Sequence, residues 1–121
     1  MPRESNAEFN EKFRKRTFAF ALRIIGYLEE RKGTIPWTLF NQLIKCATSI
    51  GANFRAFTRG RSPNERYAKI CIVVEEADET IYWLELIQGT ELDASVSLEW
   101  LMCEAEEITK VVATIKKAYE Q

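Results

Sequence analysis

The chain has 121 residues, of which 46% are apolar and 29% are charged, and its net charge is −1. These values suit one globular domain and exclude a disordered chain or a collagen-like fibre. No apolar run approaches the roughly 20 residues of a membrane-spanning helix. The first residues contain no apolar block followed by a cleavage site, so we expect one cytoplasmic domain over residues 1–121, away from membranes.

Four helices are predicted from apolar side chains that recur at spacings of three and four residues. The first ends near Gly33, where a left-handed cap is expected, and Pro36 prevents its continuation. The second contains Gly51 among small residues, so we expect a neighbouring helix to approach closely there. The third has the clearest start, an N-cap Ser62 followed by Pro63. The predicted bounds are about 8–32, 38–60, 63–88 and 96–119.

The architecture follows from the lengths of these helices and of the links between them. Few Gly and Pro residues and the lack of period-two alternation exclude a fold of short strands. Four long helices joined by short links pack most readily as an antiparallel bundle. The predicted fold is therefore an all-α, antiparallel up-down four-helix bundle.

The third predicted helix carries apolar residues on two faces. With its core face centred near Val74, Ile72, Trp83 and Ile87 fall on roughly the opposite side. In a bundle of four helices only another chain can cover a second apolar face. Ile72, Trp83 and Ile87 are therefore predicted to form an oligomer interface, and scattered apolar surface residues are the alternative.

Several kinds of catalytic and metal site lack the residues they need. Histidine, the usual proton shuttle and commonest metal ligand, is absent. The three cysteines form no C-x-x-C pair, so we expect them to be reduced and structural. An acidic cluster lacks the Glu-x-x-His motif of di-iron bundles, so we expect solvated or paired carboxylates and predict no metal, cofactor or enzyme activity. The cysteines are Cys46, Cys71 and Cys103, and the carboxylates are those of Glu75, Glu76, Asp78, Glu79, Glu104, Glu106 and Glu107.

Charge is distributed unevenly along the chain. Residues 1–33, 34–74 and 75–121 have net charges of +3, +5 and −9. Such asymmetry can indicate a basic face for nucleic acid. It can equally arise when basic and acidic helices neutralise each other side by side, and a sequence pI near 5.6 favours this second interpretation.

A basic corner is predicted where the second helix meets the third. Three of its six cations lie within roughly 80° on the second helix, and aromatic residues are interleaved with them, an arrangement that could grip a phosphate backbone. Alternatively, the aromatic rings point into the core and the cations pair with acids of the fourth helix or of a neighbouring subunit. The cations are Lys45, Arg55, Arg59, Arg61, Arg66 and Lys69, and the aromatic residues are Phe54, Phe57 and Tyr67.

Two segments resemble a known protein family. They are A-T-S-I-G-A-N at 47–53 and E-A-D-E-T-I-Y-W-L-E-L at 76–86. The chain resembles, from about residue 13 to 115, the small bacterial four-helix-bundle proteins encoded in intervening sequences of 23S ribosomal RNA genes. These proteins were once labelled a ribosomal protein family.

The resemblance implies a left-handed up-down bundle that assembles as a homopentameric ring. The accessory variability determinant of diversity-generating retroelements is similar in fold and form, binds nucleic acid through a basic surface and contacts a reverse transcriptase. The family carries no established catalytic residues. Arg59, Arg61 and Ser62 match its pattern, but Ala56 and Phe57 replace its usual Glu-Ala pair, so no role of that Glu transfers.

Two functional hypotheses follow. The first is a non-enzymatic, pentameric protein that binds RNA or DNA through the basic corner. It would act as an accessory to a mobile or intervening element, and a reverse transcriptase is a candidate partner. The second is a protein-interaction scaffold in which the charges serve assembly alone.

Overall fold

The computed structural model describes residues 5–120. It contains four helices, and each packs against the next along the chain, while α1 also packs against α4. No strand occurs in the range described. The predicted all-α bundle is confirmed, and the predicted helix bounds lie within two residues of those observed. The helices are α1 (Asn6–Glu30), α2 (Trp37–Thr58), α3 (Pro63–Gly89) and α4 (Val96–Ala118).

Serine residues begin three of the four helices. The Ser62 side chain accepts a hydrogen bond from the Glu65 backbone N–H at 3.1 Å, which confirms the predicted cap of α3. Ser5 and Ser95 cap α1 and α4 in the same way. Each bond satisfies a backbone donor that the first turn leaves without an intrahelical partner. After α1, Gly33 has φ +84°, the left-handed conformation predicted for it.

The prediction of which face of α3 points to the core is wrong by about a quarter of a turn around the helix axis. Ile87 is fully buried in the core of its own chain, so its assignment to an oligomer interface is wrong. Val74, the predicted centre, is only partly buried. Trp83 is also partly buried and packs against the core, and Ile72 is partly buried as well. The apolar residues of α3 span a wide sector, and the spacing pattern alone does not locate its centre.

Gly51 lies where two helices approach closely, as predicted. A Cβ atom added to it would lie 3.4 Å from Thr17 Oγ1 on α1. Thr17 is itself fully buried and donates its hydroxyl hydrogen bond to the Arg14 carbonyl at 3.0 Å. A Cβ atom alone would therefore make ordinary van der Waals contact with Thr17, and a side chain that extends beyond Cβ would press against α1.

We expect Gly51→Leu to overpack this contact and lower the free energy of unfolding by about 1–3 kcal/mol. Gly26 is the matched control, because a Cβ there would meet no atom within 4 Å. Gly26→Ala should instead stabilise α1 by up to about 1 kcal/mol. Urea unfolding of both variants measures the difference, and a Gly51→Leu protein more stable than wild type would contradict the packing described.

A polar network fixes the link between α3 and α4 against the end of α1. Tyr27 Oη and Ser95 Oγ each donate a hydrogen bond to Asp93 Oδ2 at 2.7 Å. Arg31 Nε lies 3.2 Å from the same oxygen. Burial alone would raise the pKa of Asp93, but these hydrogen bonds and the charge of Arg31 outweigh it and hold the pKa below its ordinary value. The ionised carboxylate therefore stabilises the folded chain.

Asp93→Asn should lower the free energy of unfolding at neutral pH by roughly 1.5–3 kcal/mol, the range for hydrogen bonds to a charged group. The advantage of the wild type should be complete above the ordinary pKa of 3.8 and should disappear as the pH falls through the lower folded-state value. Asp78→Asn, at an exposed carboxylate, is the control. A stability difference between wild type and Asp93→Asn that does not shrink as the pH is lowered below 3.8 would contradict this account.

Candidate nucleic-acid interface

The whole of α2 lies in a segment without carboxylates. From Arg31 to Asn64 the chain has six Lys and Arg residues and no Asp or Glu. Most of the large apolar side chains of α2 point into the core, and the exposed surface of the helix is mainly polar. We call one exposed strip of α2, within roughly 80° of helix surface, the α2 ridge. The α2 ridge consists of Trp37, Asn41, Lys45, Ala52, Arg55 and Arg59.

Arg55 and Arg59 are the cations of the α2 ridge that are open to an anion. Both are exposed, and neither has an ion pair or a side-chain hydrogen bond within residues 5–120. Arg61, next to them, lies 3.6 Å from Glu65 with its side chain 89% exposed, a type of pair that contributes little stability. The three guanidinium groups can thus bind phosphate without the loss of a strong intramolecular pair.

Of the other predicted cations, Arg66 and Lys45 interact with neighbours within the chain. Arg66 Nη1 donates to the Gly60 carbonyl at 2.9 Å, and Arg66 Nε donates to Tyr119 Oη at 3.3 Å. These bonds join the α2–α3 turn to the end of α4, so Arg66 has a structural role. Lys45 acts electrostatically on Glu76, and Lys69 is partly exposed on α3.

The aromatic residues interleaved with these cations belong to the core. Phe54 is fully buried, with its ring centroid 4.9 Å from that of Phe13 and 5.4 Å from that of Phe57. Phe57 in turn lies 5.7 Å from Tyr119. The alternative in which the rings point inward is confirmed for Phe54 and Phe57, so these two rings offer no surface on which bases could stack.

The acidic residues of α4 do not neutralise the arginines of the α2 ridge. Glu104 instead accepts two hydrogen bonds from Arg16 of α1, at 2.7 and 2.8 Å. The hydrogen bond from Arg16 to Glu104 raises the pKa of Arg16. Lys110 lies 3.6 Å from Glu107 on its own helix. Glu104 and Glu107 therefore pair with cations outside the α2 ridge.

On α3, burial and the neighbouring charges of Glu79 and Glu75 raise the pKa of Glu76. Despite this crowding, no group of three or more His, Cys, Asp or Glu residues could hold a metal ion in the part of the chain that the structure covers. Cys46 is buried, and burial raises the pKa of its thiol to about 11. Its thiolate is therefore scarce at neutral pH.

The sequence analysis did not identify an exposed apolar strip on α1. Phe18, Leu22 and Ile25 follow one another at helical spacing and are 65%, 56% and 36% exposed. We call these three residues the α1 strip. Beside it on α4, Trp100 lies under the Arg23 guanidinium at 3.9 Å. The spacing of the α1 strip is visible in the sequence, but its orientation depends on how α1 packs.

Within residues 5–120 no helix combines the length and hydropathy needed to cross a membrane.

The chain is similar in sequence and fold to a protein of known structure. No protein-family profile matches the sequence, and no curated protein is significantly similar to it. The chain is 30% identical to a protein with unknown function from the S23 ribosomal protein family of Bacteroides thetaiotaomicron, whose crystal structure was determined at 1.70 Å resolution. The similarity covers 86% of this chain and 97% of the other, with a TM-score of 0.80.

Proposed function

We propose that this chain, which belongs to the S23 ribosomal protein family, is a non-enzymatic, homo-oligomeric protein that binds nucleic acid on the α2 ridge. The observation that carries the proposal is the pair of exposed guanidinium groups of Arg55 and Arg59, which have no partner within residues 5–120 and lie in a segment without carboxylates. Such groups bind the phosphates of nucleic acids, and this binding is favourable because it releases the counterions that surround the phosphates. Arg61 adds a third guanidinium group at the end of the ridge.

Self-assembly accounts for how an acidic protein could bind a polyanion. With a net charge of −1, one copy attracts nucleic acid weakly. A ring of copies, which the resemblance implies to be a pentamer, presents several α2 ridges at once. After the first ridge binds, the next acts at high effective concentration, so weak single sites add to useful affinity.

The α1 strip is the surface we propose for contact with a second copy. Three large apolar side chains in one row, exposed to water in the single chain, are typical of a protein interface. This surface replaces the predicted one on α3, because Ile87 is buried and Trp83 packs on the core. The α1 strip and the α2 ridge are separate surfaces, so assembly and nucleic-acid binding can be tested independently.

A salt titration of the wild-type protein tests the proposed function. Fluorescence anisotropy of labelled single-stranded and duplex oligonucleotides should show binding at low salt. The logarithm of the binding constant should fall linearly with the logarithm of salt concentration, with a slope of about −0.7 per phosphate contacted for single strands and −0.9 for duplex. No binding of either oligonucleotide at low salt would overturn the proposal.

A second candidate function is a protein-interaction scaffold in which the charges serve assembly alone. It is favoured by the net charge of −9 over residues 75–121, which could pair with the α2 ridge of a neighbouring copy. In that case neutralising the ridge should dissociate the oligomer, and nucleic acid should not bind.

A further inference from the structure

Trp37, the first residue of α2, is unusually exposed for its size. Its side chain is 73% accessible to solvent. Its ring lies nearly parallel to that of Phe40, with centroids 5.7 Å apart and an angle of 21° between the planes. Pro36 precedes it and restricts the backbone at the start of the helix. One side of the indole therefore faces the buried ring of Phe40, and the other side is open to solvent.

A shallow cavity lies beside this ring. Its volume is about 460 Å³, within the range of small-molecule sites. The walls are mainly apolar, and Lys32 supplies a cation at the edge. Lys32 lies 3.2 Å from Glu29, with both side chains more than half exposed, so this pair is readily exchanged for another anion. The lining residues are Lys32, Gly33, Thr34, Ile35, Pro36, Trp37 and Phe40.

Trp37 also belongs to the α2 ridge, on the same side of the helix as its cations. Lys45 is eight residues further along α2, or about 12 Å at the rise of an α-helix, and Arg59 is about 33 Å away. No carboxylate of α2 interrupts this path. An aromatic face at one end of a cationic track is the combination by which proteins hold single-stranded nucleic acid.

We propose that the indole of Trp37 stacks against a base of single-stranded nucleic acid whose phosphates follow the α2 ridge towards Arg55 and Arg59. This inference rests on the proposed function and adds the class of ligand. A single strand can turn one base onto the ring, whereas the bases of a duplex are stacked on each other and unavailable. Trp37 therefore makes the site selective for single strands over duplex.

The test compares Trp37→Ala and Trp37→Phe, with an oligothymidylate of about 12 nucleotides, a length within the usual range of single-strand sites. Trp37→Ala should weaken binding of this strand by about 5- to 100-fold, the usual effect of removing one stacking ring. It should leave the affinity for duplex, and for an abasic strand of the same length, unchanged. Trp37→Phe should retain most of the affinity but lose the tryptophan fluorescence quenching that accompanies binding. Trp100→Phe is the control and should retain both.

The possible failures are distinguishable. If wild type binds the strand but Trp37→Ala binds equally well, the inference is overturned and the proposed function survives. If Trp37→Ala instead dissociates the oligomer in light scattering, a second copy covers this ring, which also overturns the inference. If wild type binds neither strand nor duplex at low salt, the proposed function fails and the inference fails with it.

Discussion

Replacing Arg55, Arg59 and Arg61 together by Glu should abolish nucleic-acid binding, because three phosphate contacts become repulsive. At low salt the loss of affinity should be roughly a hundredfold or more. Their side chains are exposed and hold no strong pair with any residue that the structure describes, so the fold should be unaffected. Anisotropy measures the affinity, and light scattering of the same samples measures the mass. The oligomer should persist.

A charge-matched control separates contact from overall charge. Lys15, Lys110 and Lys117 are exposed and lie on α1 and α4. Changing these three to Glu lowers the net charge from −1 to −7, and the arginine variant has the same net charge. The lysine variant should bind with only a modest loss that added salt removes. Equal loss in both variants would mean that no local site exists. Dissociation of the oligomer in the arginine variant alone would support the scaffold hypothesis.

The double variant Phe18→Glu and Leu22→Glu should convert the oligomer to monomer. Burial of an unpaired carboxylate in a subunit contact costs roughly 3–5 kcal/mol, enough to raise a dissociation constant by about two orders of magnitude or more. Both residues are already exposed in the single chain, so helicity should be retained. Analytical ultracentrifugation at several protein concentrations measures the mass.

Val96 provides the control for this experiment. It is 80% exposed at the start of α4, away from the α1 strip in sequence. A Glu at this first helical position is favourable to the helix dipole, so Val96→Glu should fold and assemble like wild type. A wild-type protein that is monomeric at tens of micromolar would refute the assembly proposal. An unchanged mass in the double variant would move the interface away from the α1 strip.

The sequence predicted well those features that depend on local chemistry. Ser62 followed by Pro63 located the start of α3 because the capping hydrogen bond involves residues only three apart. Gly33 likewise has the left-handed backbone conformation predicted for it, three residues after the end of α1. The bundle followed from four long amphipathic segments and short links. These inferences needed no knowledge of which helix lies beside which.

The sequence failed where a side chain's environment depends on a distant partner. Ile87 was placed outside because apolar residues surround much of α3, and only packing against α2 and α4 decides which of them are buried. Arg66 resembled its exposed neighbours, but its partner Tyr119 lies 53 residues away. The sequence did not indicate that Trp37 is exposed, because an apolar residue at the start of a helix can either pack on the core or face solvent. Arg55, Arg59 and Arg61 were predicted as a group, and the structure leaves all three exposed.

Photo-cross-linking of a bound oligonucleotide tests most directly whether the α2 ridge is the nucleic-acid interface. A protease that cleaves after Glu should release residues 31–65 in one peptide, because no Glu lies between Glu30 and Glu65. Mass spectrometry should find the cross-linked nucleotide in this peptide, and the arginine triple variant should yield none. Cross-links concentrated in the peptides of α3 or α4, or their absence at a saturating concentration of oligonucleotide, would contradict the proposal.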